Sequence, residues 1–402
     1  MVKSTIFVDL KKELEENGHK FISKTDGEVI IHGYEQWDMG LLEKMNGMFA
    51  FALFDSKAGE MILARDRAGI KPLYYYSRDG VFLFGSEITA LNKHPFFDAA
   101  VDPRSLARYL SFSYVPAPGT IYRNTYKLLP GEFLVVKNGS MQKKKYWDLT
   151  DRIRDYSQDI SFDRARDRCE ELLLDAVKLR LVSDVPLGAF LSGGYDSSLV
   201  VALMKEAGAR DIQTFTIGFN EPEYSEAPQA REIARYLGTH HHEYILTSGE
   251  AVRALQMLSS IYDEPFGDYS ALPTHLVSRL ARQNGMKVTL SGDGGDELFR
   301  GYTRYASSAK LMALNNMPAA VRRLCGGAFR LLPAARAKRL ALNMNFDSLA
   351  GFYHFRMSTW KKGIPESLVR LDSVADELDS ETSRIYQHYN RISKGTGRRR
   401  YF

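Results

Sequence analysis

Ser192-Gly193-Gly194-Tyr195-Asp196-Ser197-Ser198 is the stretch on which the reading of this chain turns. It follows an apolar run, Val185-Pro186-Leu187-Gly188-Ala189-Phe190-Leu191, with the character of a buried strand. It precedes Leu199-Val200-Val201-Ala202-Leu203-Met204-Lys205-Glu206, which has the character of a helix. A strand, a Gly/Ser turn and a helix start together make an anion site. The glycines let the backbone approach phosphate, free N–H groups point into the turn, and the helix dipole adds positive potential. Ser197 and Ser198 can cap the helix and also donate hydroxyl hydrogen bonds. No Gly-Lys-Ser/Thr follows, so this is not a Walker loop. Nor is it the Gly-x-Gly-x-x-Gly of a dinucleotide fold.

A second turn of the same kind lies downstream. Lys287-Val288-Thr289-Leu290 reads as a short buried strand, and Ser291-Gly292-Asp293-Gly294-Gly295-Asp296-Glu297 follows at once. Glycines and acids at this density do not pack as core. They bring backbone N–H groups and carboxylates to a strand end, where ligands sit in an open α/β sheet. Between the two turns lies Asp263-Glu264-Pro265-Phe266-Gly267-Asp268-Tyr269-Ser270, read as an acidic helix start. From residue 162 helix and strand alternate. Helices are expected at 162–180, 197–207, 226–237, 249–261 and 271–284, and strands at 185–191, 213–219, 243–246 and 287–290. Such alternation predicts βαβ units, hence a doubly wound parallel sheet. Upstream, the pattern predicts a helix over 11–20, helical periodicity to Trp37, short strands from Met48 to Leu91, one helix after residue 100, and a strand at Glu132–Val136.

The composition limits the classes open to the chain. Its 402 residues suggest two domains or three, and 44% hydrophobic with 26% charged residues is ordinary for a globular protein. No apolar run reaches the ~18 residues of a membrane span. The first ten residues hold no signal-peptide core. Cys169 and Cys325 are the only cysteines. That argues against a disulfide scaffold or a zinc site and suits a reducing cytoplasm. A net charge of +5 does not call for nucleic acid, and Arg398-Arg399-Arg400 reads as a solvated tail. His240-His241-His242 invites a metal reading, but neighbours on an extended chain alternate faces and do not easily share one ion.

The runs SGGYDSS at 192–198, TFTIGF at 214–219, DEPFGDYSALPTHLVS at 263–278 and LSGDGGDELFRGY at 290–302 resemble the glutamine-dependent asparagine synthetase family. The first of them matches that family's pyrophosphate loop, Ser-Gly-Gly-x-Asp-Ser. MNGMFAFALFD at 45–55, LARDRAGIKPLYY at 63–75 and FGSEITAL at 84–91 resemble its glutaminase domain, and residues 106–136 the connection between the domains. The resemblance implies a fold of two parts. Residues 1–147 would be an incomplete αββα amidotransferase domain, 148–160 a linker, and 161–402 an ATP-pyrophosphatase domain.

The resemblance also implies a reaction and a site. ATP activates a carboxylate, aspartate in the named enzyme, and ammonia displaces AMP from the acyl-adenylate. Ser192, Gly193, Gly194, Asp196, Ser197 and Ser198 would hold ATP and its pyrophosphate. Phe190, Ile217, Ser291 and Gly292 would seat the adenosine. Asp196, joined by Asp296, would ligate Mg²⁺. Asp293 stands where many members carry Glu, at the position linked to forming the adenylate. Arg300 stands where a small residue is usual. Asp26 matches the acid that holds the amino group of glutamine. The expected partners are small molecules: ATP, aspartate or another carboxylate, and ammonia or glutamine. A homodimer is compatible with the resemblance.

The chain also departs from the family. The glutaminase half should open with a cysteine after the initiator methionine, whose thiolate attacks the glutamine amide. Val2 stands there, and Met1 to Ile6 replace the segment that supplies the oxyanion site. A later segment around Glu-x-Arg-x-Pro-x-Leu-Asp, and a lysine that supports the adenylate, have no counterpart. The expectation is a relative shortened at both ends. Three readings stay open on the sequence: an ammonia-using amidotransferase, acting on aspartate or on a surface-polysaccharide sugar carboxylate; a remnant that binds nucleotide without turnover; and a pyrophosphate-loop enzyme that modifies transfer RNA.

Overall fold

The computed structural model describes residues 3–4, 7–153, 160–303, 305, 318–331 and 357–359. The chain begins with β1 (Lys3–Ser4), α1 (Phe7–Glu16), α2 (Asp26–Trp37), a 3₁₀ turn and α3 (Leu41–Lys44). The strands β2 (Gly47–Met48), β3 (Ala50–Asp55), β4 (Glu60–Arg65), β5 (Tyr74–Arg78) and β6 (Val81–Gly85) follow. Next come α4 (Ile88–Leu91), α5 (Pro103–Phe112), β7 (Thr125–Lys127), β8 (Glu132–Lys137) and β9 (Ser140–Lys145). These strands form two antiparallel sheets, β3-β4-β8-β9 and β6-β5-β7, and a two-stranded antiparallel pair, β1-β2.

The layering follows from the alternation of side chains along β4 and β8. Ala64 pairs with Phe133, and both face a cluster with Leu10 and Leu14 of α1, Val29 and Ile30 of α2, and Leu42. Leu63 pairs with Leu134 one step away, and both turn the other way, to Leu73, Tyr75 and Leu128. A period of two thus presents one face of the sheet to the helices and the other to the second sheet.

The first helix runs from Phe7 to Glu16, not over the expected 11–20. Asn17-Gly18 ends it: Gly18 takes φ +92°, and the Gly18 and His19 N–H groups close back on Glu15 and Leu14 carbonyls. β9 was not expected, because Ser-Met-Gln-Lys-Lys-Lys is wholly exposed and lacks alternation. It is a polar edge strand, the composition by which a sheet edge resists further pairing.

The Arg65–Tyr75 segment is built around a buried carboxylate, Asp66, and a half-buried guanidinium, Arg65. The Asp66 side chain accepts N–H bonds from Phe49, Ala68, Ile70 and Lys71 at 2.9–3.2 Å. The Arg65 guanidinium donates to the Lys71, Leu128 and Gly69 carbonyls at 2.6–2.8 Å. Asp66 is 1% exposed. Asp66→Ala leaves several buried donors without partners and is expected to cost about 3 kcal/mol or more of stability. A urea unfolding curve unchanged in its midpoint would contradict that role.

The second part holds α6 (Leu149–Ile153), α7 (Phe162–Leu181), β10 (Leu187–Phe190), α8 (Tyr195–Glu206), β11 (Gln213–Phe219), α9 (Ala227–Leu237), β12 (His240–Leu246), α10 (Ser248–Ile261), α11 (Ala271–Gln283), β13 (Val288–Leu290) and α12 (Gly295–Phe299). Its four strands are parallel in the order β12-β11-β10-β13. α7, α8 and α9 share one core with β10, through Val177, Val201, Leu203, Met204, Ala230 and Ala234. α10 and α11 pack on each other, and α11 on β11 and β12. This is the doubly wound α/β arrangement expected from the alternation.

β12 begins at His240, three residues earlier than expected, because the histidine run pairs residue by residue with Gln213, Thr214 and Phe215. Arg322 and Arg323 fall on a helix at Ala319–Leu331. Arg336, Lys338, Arg339 and the Arg398–Arg400 cluster lie outside the described residues. No helix among the described residues is long and apolar enough to cross a membrane.

Candidate active site

β10 is the pivot of the parallel sheet. The chain runs outward from it through β11 to β12, then returns to place β13 on its other side. The order of connections reverses between β10 and β13, and ligands of open α/β sheets bind in the crevice at such a point. Both Gly/Ser turns leave the carboxyl ends of these two strands.

The first turn is held by its own hydroxyls. Ser192 N–H donates to Ser197 Oγ at 3.2 Å, and the two serine hydroxyls lie 3.0 Å apart. Gly194 N–H donates to Ser192 Oγ at 3.3 Å. Ser197 and Ser198 hydroxyls donate to the Gly194 carbonyl at 3.3 and 2.6 Å. The serines therefore shape the loop as well as facing it. Gly193 takes φ +87°, and a side-chain carbon there would stand 2.9 Å from Gln229 Cβ. The turn needs glycine for its backbone angle and for the close passage of α9.

The second turn presses directly on the first. A side-chain carbon on Gly292 would stand 2.7 Å from Ser197 N and 2.9 Å from Asp196 Cβ. On Gly295 it would collide with the Asp196 carboxylate. Two stretches about a hundred positions apart in sequence are thus one surface, with the start of α8 between them. Ser291 Oγ donates to Asp293 Oδ2 at 2.8 Å, and Asp293 is exposed beside it. Phe190 and Ile217, at the ends of β10 and β11, are half-buried.

Asp296 is placed differently from Asp196. A side-chain carbon on Gly301 would collide with its carboxylate, so that carboxylate lies against the chain leaving α12. Among the described residues, Asp196, Asp293 and Asp296 do not converge as a three-carboxylate cluster. Arg300 closes α12 in the left-handed region at φ +61°, and is exposed. A small residue suits that position on backbone grounds alone.

The histidine run does not make one site. His240 Nε2 lies 3.9 Å from Asp211, His241 Nδ1 meets Thr214 Oγ1 at 2.9 Å, and His242 Nε2 meets Gln213 Oε1 at 2.8 Å. His242 stacks on Phe215. Burial pulls His241 below the usual imidazole range, against the opposing pull of Glu243.

The acidic turn at 263–270 does something the sequence did not disclose. Its first two acids do not cap α11; they dock on the N-terminal part. Asp263 Oδ2 accepts the Ile88 N–H at 2.6 Å, and its other oxygen accepts from Thr89 Oγ1. Glu264 Oε2 accepts the Ile121 N–H at 3.0 Å, and Oε1 pairs with Lys127. Gly267 N–H donates to the Ser113 carbonyl at 2.7 Å. Burial, and then the charges of Glu264 and Asp263, push Tyr74 up to about 12. Asp26 lies elsewhere, in the first turn of α2, half-buried, with its carboxyl raised chiefly by desolvation.

Comparison with known proteins assigns both parts. The profile for asparagine synthase matches residues 168–394, and that for a glutamine amidotransferase domain matches residues 6–147. A putative glutamine-hydrolysing asparagine synthetase 2 of Methanocaldococcus jannaschii is 38% identical over 299 residues, covering 73% of this chain and 57% of that protein. Glutamine-hydrolysing asparagine synthetase 1 of Bacillus subtilis is 29% identical over 365 residues, covering 90% and 57%. A putative glutamine-hydrolysing asparagine synthetase of Mycobacterium bovis is 35% identical over 353 residues, covering 87% and 54%. The chain therefore spans a little over half the length of these relatives. With two abutting Gly/Ser turns at the pivot of a parallel sheet and a profile match over more than half its length, this chain belongs to the asparagine synthase family.

Proposed function

We propose that this chain activates a carboxylate with ATP and transfers the acyl group to ammonia, with aspartate as the acceptor and asparagine, AMP and pyrophosphate as products. The observation that carries the reading is the contact of Gly292 and Gly295 with Asp196 and Ser197. It brings the glycines of the second turn against the Asp196 carboxylate at the N-terminal end of α8, where a helix favours an anion.

In the first step a carboxylate oxygen of the acceptor attacks the α-phosphorus, and the bond to the bridging oxygen of the β-phosphate breaks. Pyrophosphate leaves into the turn at Ser192–Ser198, where backbone N–H groups take up its charge. In the second step ammonia attacks the acyl carbon, AMP leaves, and the nitrogen loses a proton. Phe190, Ile217 and the Ser291-Gly292 turn seat the adenosine. Mg²⁺ fits a donor set of Asp196 and phosphate oxygens, with Asp296 beyond it, and when bound it neutralises phosphate charge. Asp293 is assigned to the adenylate. Asp26 is assigned to the amino group of glutamine in the amidotransferase part.

The test is AMP and pyrophosphate release by the 402-residue chain with ATP, Mg²⁺ and aspartate, comparing ammonium with glutamine as donor. Both cysteines, Cys169 and Cys325, lie outside the residues matched as amidotransferase. Residues 6–147 of the chain tested therefore supply no thiol nucleophile, a group whose removal typically costs several orders of magnitude. The expected outcome is turnover that rises with ammonium and with pH, no support by glutamine, and no glutamate released. Equal rates with both donors would refute the ammonia-only reading. Absence of aspartate-dependent pyrophosphate release under all conditions would refute the acceptor.

A further inference from the structure

A second cluster of chemistry-bearing side chains lies far from the ATP turns in sequence, on the helical layer of the amidotransferase part. α2 carries Glu28, His32, Glu35 and Gln36 along its length, spaced so that three- and four-residue steps share a face. His19 reaches the same place from the turn that ends α1. His19 Nδ1 and His32 Nδ1 are 3.2 Å apart. Glu35 Oε2 is 3.0 Å from His32 Nδ1 and 3.7 Å from His19 Nδ1. These are the described residues whose ligand atoms converge within 4.8 Å as a group of three.

The remaining ring nitrogens supply a second, separate observation. His19 Nε2 lies 3.0 Å from Gln36 Oε1, and His32 Nε2 faces Glu28 Oε1 at 3.6 Å. Glu28 is itself fixed, accepting from Ile22 N–H, Ser23 N–H and Ser23 Oγ at 2.5–2.7 Å. Each neutral imidazole has one N–H. With the N–H of His19 spent on Gln36, the one N–H of His32 is all that can lie among the two Nδ1 atoms and the Glu35 carboxylate, and it can serve only one of its two neighbours there. A cation among them would engage both nitrogens and the carboxylate at once. The Gln36 oxygen on the far nitrogen of His19, with the Glu28 carboxylate facing that of His32, is also the kind of support that metal-ligating histidines receive.

We propose that His19, His32 and Glu35 form a zinc site that clips the end of α1 to α2. A tetrahedron with bonds of about 2.0–2.1 Å has edges of roughly 3.3–3.4 Å, the scale of the three separations above. Two imidazoles and a carboxylate are a zinc-type donor set, leaving a fourth position for water. The site is independent of the histidine run at 240–242 and of the amide-forming reaction, and its role is to hold the helical layer together.

The probe is zinc chloride titrated into the metal-stripped 402-residue chain by calorimetry, with cobalt(II) absorption as a reporter of tetrahedral geometry. The expected result is about one zinc per chain and a rise in the thermal unfolding midpoint on loading. His32→Ala should abolish that binding. Glu35→Gln, close in shape and on the surface, should weaken it about tenfold or more while circular dichroism stays that of the parent. His240→Ala should leave it unchanged. Zinc binding that is absent, that survives both His32→Ala and Glu35→Gln, or that is lost in His240→Ala would each overturn the proposal. Because no step of catalysis enters these readouts, failure of the assigned reaction would not affect them.

Discussion

Asp293→Asn is expected to lower aspartate-dependent AMP formation by at least about 10²–10³-fold while leaving ATP binding nearly unchanged. Asp293 is exposed just after β13, in the turn that abuts Asp196 and Ser197, and its carboxylate accepts one bond from Ser291 Oγ. An asparagine oxygen can still accept that bond, so the turn keeps its shape. What the substitution removes is charge at the place assigned to the adenylate. A group that acts in the transition state and not in the ground state changes the rate without changing nucleotide affinity. The check is AMP release with ammonium as donor, alongside calorimetric ATP affinity. An asparagine variant with undiminished rate would remove Asp293 from the mechanism. Equal losses in rate and affinity would make it a binding residue instead.

The second large effect is expected from Asp196→Ala. Its carboxylate lies at the first turn of α8, pressed against the backbone of Gly295. A carboxylate at a helix N-terminus that also faces phosphate is tolerable when a cation lies between them, and Mg²⁺ binds through carboxylates together with phosphate oxygens. Removing it should weaken ATP binding in the presence of Mg²⁺ by about tenfold or more and lower turnover by about 10³-fold. In chelator the variant should bind ATP at least as tightly as the parent, because the carboxylate then only repels phosphate. The variant should therefore lose the stimulation of binding by Mg²⁺. Calorimetry in both conditions decides it, and an unchanged affinity for ATP with Mg²⁺ would end the assignment of Asp196 as a ligand.

Much of this site could be read before any coordinates, because the signals are local. A buried strand, a glycine turn and a helix start are set by residues within a few positions of one another. The strand at 213–219 and the helices at 162–181, 227–237, 248–261 and 271–283 came out within two residues of expectation for that reason. The misses share an opposite cause. α1 was shifted because its end depends on a left-handed glycine, not on periodicity. β9 has no apolar face and is a strand only because β8 offers it an edge. β12 starts at His240 because β11 lies alongside to pair with it.

By itself the sequence determined the class of the fold, the two Gly/Ser turns at strand ends and the family, since each rests on the order of neighbouring residues. The tertiary structure alone decided which turns touch. Parallel connection puts β13 beside β10, and only then do Gly292 and Gly295 become positions where no side chain fits against Asp196. It alone decided that Asp263 and Glu264 are a strut to the first part, through Ile88 and Ile121, 175 and 143 positions away. It also brought His19 to the face of α2 that carries His32 and Glu35. Contacts over such separations leave no periodic trace along the chain, because what specifies them is the packing of whole elements.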